Sequence, residues 1–354
     1  MKKILCALLV LSMIFGIAAC GGAETPPETG SPVETAPVET AAATETEEEL
    51  TDTTPVRLMA LQGPTGMGLA SLLHNNAAGE GNLARYEAEL VSSAEITNIA
   101  AAITKGECDI AAVPINLAST LFNKTEGKVQ VVAANTKGVL YILENGDSVK
   151  EAADLKGKTI YATGQGSTPE YILRYVLKEN GIDPDNDVTL TFVADHTELA
   201  TAMASDLYAI GMLPEPNVTA VLKANESFRV ALNMTEEWNK VAGEGNDLIQ
   251  GVFIVRSAFA EEHPQVVKAF LKDYDESQKL VNSDPAKGAE YIVEAGILPN
   301  AGVAQTAIKG CNIVCVTGDE MKAGVSKCLS VLFDAAPASV GGALPDDTFY
   351  YGIA

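Results

Sequence analysis

Apolar positions along this chain fall into three regimes. From Ile4 to Ile17 they run almost unbroken. From 21 to 54 the chain is mostly Gly, Ala, Thr, Pro and Glu, without Lys, Arg, Phe, Tyr or Trp. Beyond 55, short β-like runs alternate with stretches of helical spacing. Val56–Leu61 predicts a strand, Gly63-Pro64-Thr65-Gly66-Met67-Gly68 a loop, and Leu69–Asn75 a helix. The same order returns about a hundred residues later. There the strand is Thr159–Thr163, the loop Gly164–Pro169 and the helix Glu170–Asn180, with Thr168 as N-cap, Pro169 at the first helical position and Gly181 as a stop.

Each copy continues in step. Glu95–Lys105 places Ile96, Ile99 and Ile103 on one helical face, and Asp109–Pro114 reads as a buried strand closed by proline. The counterparts are Glu198–Ala204 and Ala209–Pro214. The repeat departs at Ala209, where the first copy has Asp109. Strands alternating with helices predict two α/β lobes with mainly parallel sheets, in which ligands bind beyond the carboxyl ends of the strands. The two loops, and the segments after Pro114 and Pro214, then line equivalent edges of a cleft. Helix starts there present free N–H groups, and neither loop has a dinucleotide or phosphate-loop pattern.

Composition narrows the partners. The formal charge is −23, and −25 without Lys2 and Lys3; nine of the negative charges lie between 21 and 54. An acidic folded part excludes nucleic acid, which demands a basic face. The three histidines, His74, His196 and His263, stand at no zinc-ligand spacing from the cysteines, so neither a metal nor a cofactor is expected. Cys108, Cys311, Cys315 and Cys328 read as small core residues rather than as a disulfide framework.

The N-terminal regime resembles a bacterial lipoprotein signal: Lys2 and Lys3, the apolar run, then Ile17-Ala18-Ala19-Cys20. The resemblance implies removal of residues 1–19, lipidation of Cys20 and export. The apolar run is short for a bilayer span. Residues 20–54, with the near-repeats Ser31–Thr35 and Ala36–Thr40, cannot bury enough apolar area to order and read as an extended acidic spacer.

The folded part resembles the substrate-binding proteins of bacterial ABC importers, in the nitrate/sulfonate/taurine and thiamine-precursor group. The resemblance is carried by Gly63–Gly66, Gly106–Ala111, Leu155–Ile160 with the Gly164–Pro169 loop, Leu213–Pro216 and Phe259–Leu271. It implies the type II periplasmic-binding-protein-like fold, two lobes joined by two crossing strands. Placing the crossings at Gly138–Leu143 and Leu248–Val255 makes lobe one 55–143 with 248–354 and lobe two 144–247. It also implies an extracytoplasmic, lipid-anchored, monomeric receptor that delivers a small solute to an ABC permease.

By position, the ligand-binding candidates are Pro64, Thr65, Gly66, Met67 and Asn116 from lobe one, and Gly166, Ser167, Thr168, His196 and Glu215 from lobe two. Asn116 could instead cap a helix, Glu215 act at a hinge or a permease contact, and His196 be a solvated N-cap. Trp238 reads as packing; Tyr141, Tyr161 and Tyr171 could stack on a planar ligand. The loops hold no Lys or Arg, which favours a neutral, aromatic or zwitterionic solute, although Arg57, Lys137 or Arg174 could reach the cleft. Two rivals stand beside the receptor: an enzyme of the same fold acting on chorismate- or pyrimidine-precursor-like substrates, and a ligand-sensing lipoprotein without a transporter. No nucleophile–base pair favours the enzyme.

Overall fold

The computed structural model describes residues 50–352 except 83–84, 93–94 and 244. Cys20, the expected signal and nearly all of the spacer lie outside the described residues. The first half of the repeat comprises β1 (Val56–Leu61), α1 (Pro64–Met67), α2 (Ala70–Ala78), β2 (Tyr86–Val91), α3 (Ile96–Lys105), β3 (Ile110–Pro114), α4 (Ile115–Lys124) and β4 (Val129–Lys137). Next come β5 (Leu140–Asn145), β6 (Thr159–Ala162), α5 (Thr168–Glu179), β7 (Thr189–Phe192), α6 (His196–Ala204), β8 (Ile210–Pro214), α7 (Asn217–Ala224), β9 (Phe228–Asn233) and α8 (Met234–Ala242). The chain ends with β10 (Ile249–Arg256), α9 (Ser257–Glu262), α10 (Pro264–Ser283), α11 (Pro285–Glu294), α12 (Ala301–Ala307), β11 (Ile313–Val316) and α13 (Gly318–Ala335).

Two sheets result, ordered β11-β4-β10-β3-β1-β2 and β7-β6-β8-β5-β9. The runs β2-β1-β3-β10-β4 and β7-β6-β8-β5-β9 are the same pattern built twice. β1 lies parallel to β2 and β3, as β6 does to β7 and β8. In each run one strand opposes its neighbours: β10 between β3 and β4, and β5 between β8 and β9. These are the strands that enter from the other sheet. The chain leaves the first sheet after Lys137 and returns to it at Ile249. Leu140–Leu143, expected in lobe one, therefore runs in the second sheet, where Leu140, Ile142 and Leu143 are buried.

The helices dock by apolar stripes of about 3.6-residue period. Ile99 and Ile103 of α3 are buried with Met59 and Val91, and Val266, Val267, Phe270 and Tyr274 of α10 close the other face of the first sheet under Phe253. α5 buries Ile172, Leu173, Val176 and Leu177. Trp238 is wholly buried and donates Nε1–H to Asn246 O at 2.9 Å, a packing role. Cys108, Cys311 and Cys328 are buried and Cys315 half-buried, all as free thiols. Among the described residues no helix is long and apolar enough to cross a membrane.

The departure in the repeat has a structural reason. Asp109 is 2% exposed and receives Arg57 Nε at 2.8 Å, Arg57 Nη2 at 2.5 Å and Arg256 Nη2 at 2.6 Å. Burial pushes its carboxyl pKa up, but the two guanidiniums and the Arg57 N–H more than reverse that, leaving it below the ordinary value. Arg256 ends β10, the strand that leads into the C-terminal helices of the first half. Ala209 has no such neighbour and is exposed.

Candidate inter-lobe binding site

The loop after β1 is mostly packed into the protein. Pro64–Met67 forms a single helical turn, with Gly66 and Met67 buried. A Cβ on Gly66 would stand 2.4 Å from Leu61 O, and one on Gly68 2.5 Å from Tyr274 Oη, so only glycine fits beneath this turn. Met67 Sδ lies 3.7 Å from Cys311 Sγ in the core. Pro64 and Thr65 remain half-buried, and Asn135 Nδ2 lies 3.5 Å from Thr65 O. Asn116 is half-buried in the first turn of α4, where no side chain caps the helix.

The loop after β6 is open. Gly166 is exposed at φ +71°, and a Cβ there would meet nothing within 4 Å. Ser167, rather than Thr168, is the N-cap of α5; its Oγ turns back to donate to Gly164 O at 2.6 Å. The extended backbone of Ser167 places the helix start one residue earlier than the sequence pattern indicated. Glu170 Oε2 accepts from Gly166 N at 2.7 Å, and Arg174 Nε donates to Glu170 Oε1 at 2.7 Å. Thr168 becomes the first helical residue, 6% exposed, and its hydroxyl has no hydrogen-bond partner among the described residues. A buried hydroxyl without a partner costs on the order of 1–3 kcal/mol.

Next to this loop, Thr163 Oγ1 and His196 Nδ1 share a hydrogen bond of 2.5 Å. Thr163 follows β6, and His196 opens α6 after β7, so the bond joins the carboxyl ends of adjacent parallel strands. Burial lowers the His196 pKa, Asp195 opposing, which keeps the imidazole neutral at pH 7. Sequence reasoning missed Thr163; its signal was a polar residue closing an apolar strand immediately before the glycine loop.

Glu215 follows β8 and is 6% exposed. It accepts from Thr219 N and Thr219 Oγ1, both at 3.0 Å, and so covers the first turn of α7. Burial raises its pKa against those two bonds. Its outer side faces the first half: a Cβ on Gly310 would lie 2.9 Å from Glu215 Oε1. Tyr141 donates Oη–H to Gly310 O at 3.0 Å, and Tyr161 is stacked on Tyr208 at 3.7 Å between centroids. Because Gly310 precedes Cys311, which touches Met67, the β1 and β8 loops both meet the 310–311 segment.

The three cations singled out in the sequence are all paired, Arg174 with the same Glu170 that accepts from Gly166 N. Arg57 is on Asp109; Lys137 is 2.5 Å from Asp247 and 3.7 Å from Glu320; Arg174 pairs with Glu170 and Asp185. Two concavities lie away from the strand ends. One of about 630 Å³ is between β1, β2 and α3; one of about 1190 Å³ is between α5 and α13. Their arginines are these same paired ones, and neither contains the Thr163–His196 pair.

Two sheets joined by two crossings, with a loop of each against the 310–311 segment, are the frame in which these residues sit. The family of ABC-transporter phosphonate periplasmic substrate-binding proteins matches residues 81–295, more than half of the chain. The chain belongs to this family. Its members are receptors rather than enzymes. Among solved structures, an ABC transporter protein from Parabacteroides distasonis is similar, with a TM-score of 0.70, 22% identity and coverage of 84% of this chain and 99% of that one. The aliphatic sulphonate-binding protein SsuA of Escherichia coli gives a TM-score of 0.64 at 16% identity, covering 81% and 90%. The alkanesulfonate-binding SsuA of Xanthomonas axonopodis pv. citri, bound to MOPS, gives 0.58 at 18% identity, covering 82% and 94%. A Bacillus subtilis strain 168 binding protein, YtlA, is 26% identical over 133 residues, 38% of this chain and 37% of that relative's length. The resemblance to the substrate-binding proteins of ABC importers, in the nitrate/sulfonate/taurine group, holds, and so does the α/β two-sheet fold.

Proposed function

We propose that this periplasmic receptor captures a small organic solute between its two lobes and hands it to an ABC permease. The lobes are residues 55–143 with 248–354, and 144–247, with the 140–143 strand moved to the second. Cys20 carries a lipid anchor after loss of residues 1–19, and residues 20–54 give the monomeric receptor reach while holding it near its permease. The ligand is held by Pro64, Thr65, Gly66 and Asn116 on one side and by Gly166, Ser167, Thr168 and His196 on the other. Met67 supports its loop from beneath, and Glu215 sets the opposing wall.

The observation that carries this reading is the buried, unpartnered Thr168 hydroxyl in the first turn of α5, taken with the neutral Thr163–His196 pair at the carboxyl ends of β6 and β7. A polar atom kept in that state at a cost is one that a ligand can satisfy. The surrounding groups are hydroxyls, a neutral imidazole and backbone N–H donors, with a buried carboxyl opposite. That set favours a neutral or zwitterionic solute, aromatic or not, over the dianion of a phosphonate.

Mass spectrometry of solute released from the purified protein, followed by thermal-shift titration with sulfonates, phosphonates, pyrimidines and amino acids, tests the reading. A binding solute raises Tm by linkage. Thr168→Val then leaves the stability of the unliganded protein unchanged or higher, and weakens the solute about tenfold, the worth of one hydrogen bond. Preferential tight binding of a simple dianion overturns the solute class; undiminished binding to Thr168→Val overturns the site.

A further inference from the structure

Three consecutive residues near the end of the chain each touch a different part of the molecule. Gly310 reaches across to the second half: its carbonyl accepts from Tyr141 Oη at 3.0 Å, and its Cα faces the Glu215 carboxyl. Cys311 packs under the first glycine loop, 3.7 Å from Met67 Sδ. Asn312 holds the crossing segment: its carbonyl accepts from Lys137 N at 3.0 Å, and its Nδ2 donates to Gly138 O. Asn312 takes φ +44° to do this, a left-handed conformation that asparagine tolerates better than most residues. The segment lies beyond residues 81–295, which carry the family match.

The geometry distinguishes a pivot from a latch. Asn312 grips Lys137 and Gly138, the residues through which the chain passes from β4 to β5, so its contacts sit at the crossing itself. The second crossing is tied to the same place, since Gln250 Oε1 accepts from Val139 N at 2.7 Å and Val139 O accepts from Glu215 N at 3.0 Å. Gly310 is different. It packs with the first half, whereas its partners Tyr141 and Glu215 belong to the strands of the second sheet and their loops. The contacts of Gly310 with the Tyr141 hydroxyl and the Glu215 side chain bridge the two halves and so depend on how the halves are set, whereas those of Asn312 lie on the crossing backbone. A contact that exists in one arrangement and is lost in the other is what a ligand-driven equilibrium requires.

We propose that Gly310–Cys311–Asn312 is a closure latch, in which the bare peptide of Gly310 docks against Tyr141 and Glu215 when the lobes shut and Asn312 ties that docking to the hinge. These are positioning residues, and the inference rests on the reading that the lobes close on a solute. Glycine is required at 310 for space: a Cβ would lie 2.9 Å from Glu215 Oε1, 3.0 Å from Glu215 Cγ and 3.3 Å from Tyr141 Oη. Any side chain there acts as a wedge.

The test uses the full chain as purified, with spin labels on non-natural residues at the exposed positions Lys105 and Leu207, one on each half. Gly310→Val is expected to raise the ratio of long to short inter-lobe distances about tenfold, and Tyr141→Phe to move it less in the same direction. Tm is recorded alongside, because a merely structural role moves Tm and not the distances. If Gly310→Val fails to fold, Tyr141→Phe decides, since it removes a single hydroxyl. Distance distributions identical to the parent in the variant that decides overturn the latch. Methylphosphonate, MOPS and uracil are titrated into the parent protein separately. A parent that none of them shortens, with a Gly310→Val variant that opens, sustains the latch and counts against the receptor reading. A parent that one of them shortens, with Gly310→Val unchanged, does the reverse.

Discussion

The two glycine-rich loops occupy equivalent places in a duplicated topology and put glycine to opposite uses. In the first, Gly66 and Gly68 admit the backbone of Leu61 and the ring of Tyr274, and the loop winds into a turn whose last residue, Met67, is core. In the second, Gly166 faces open space in a left-handed conformation, and the polar residues after it start a twelve-residue helix. The contrast lies in Gly66 and Gly68 against Gly166: Gly63 has open space around it, and a Cβ on Gly164 would lie 2.8 Å from Ser167 Oγ. Duplicated topology therefore does not imply duplicated local structure: the second loop leaves Gly166 exposed, while most of the first is packed into the protein.

The sharpest way to break this comparison is to add one methyl group to each loop. Gly66→Ala places Cβ against a carbonyl oxygen of the main chain, which cannot swing aside, and is expected to cost about 3 kcal/mol. Gly166→Ala meets no neighbour and costs about 1 kcal/mol, through its positive φ alone. Urea denaturation of both variants checks the difference. Equal losses would mean that the loops are not the contrast described.

A smaller effect separates the halves at the departure from the repeat. Asp109→Ala strips two arginines of their shared carboxylate and is expected to cost about 2.5 kcal/mol. That is below the usual penalty for breaking a buried pair, because Arg57, 41% exposed, can rehydrate. The reciprocal change, Ala209→Asp, falls on an exposed position and should stay within about 0.5 kcal/mol of the parent. Denaturant midpoints of the two variants give the answer. The asymmetry has a source: the returning strand β10 joins the first sheet and brings Arg256 with it.

What could be read in advance follows the range of the interactions. The repeat was legible because strand and helix periodicity is local, and both copies run β-loop-α-β-α-β. The open second loop was legible through Ser167-Thr168-Pro169, although the cap fell on Ser167. The burial of Met67 was not, since a methionine beside glycines suits a cleft and a core equally, and Cys311, which decides it, is 244 residues away. The Thr163–His196 pair depends on which strands become neighbours in the sheet, and Gly310 on how the lobes meet. Neither relation has a local signature. The crossing strand was placed correctly as a strand, but only its pairing with β8 and β9 shows that it belongs to the second sheet.

The smallest expected effect concerns protons, and it falls on the second half, at His196 opening α6, because Pro64–Met67 has no ionisable side chain. His196 is held below its ordinary pKa by burial, against the opposing charge of Asp195. Its imidazole stays neutral in the folded protein under conditions where the unfolded chain takes up a proton. From the unfolded value of 6.5 downward, the unfolded state therefore binds more protons, and folded stability declines as pH falls towards the lower folded pKa. Below that pKa both states are protonated and the contribution stops changing. His196→Gln keeps a side-chain amide within reach of Thr163 and removes the titration, so its stability should fall less than the parent's between pH 7 and pH 5. Urea midpoints measured in parallel at those two pH values report the difference. If the two proteins lose stability equally, His196 is solvated in solution and the neutral Thr163–His196 pair does not exist. If the slopes differ and a solute identified by mass spectrometry also binds His196→Gln more weakly at pH 7, the imidazole serves the cleft as well as the fold.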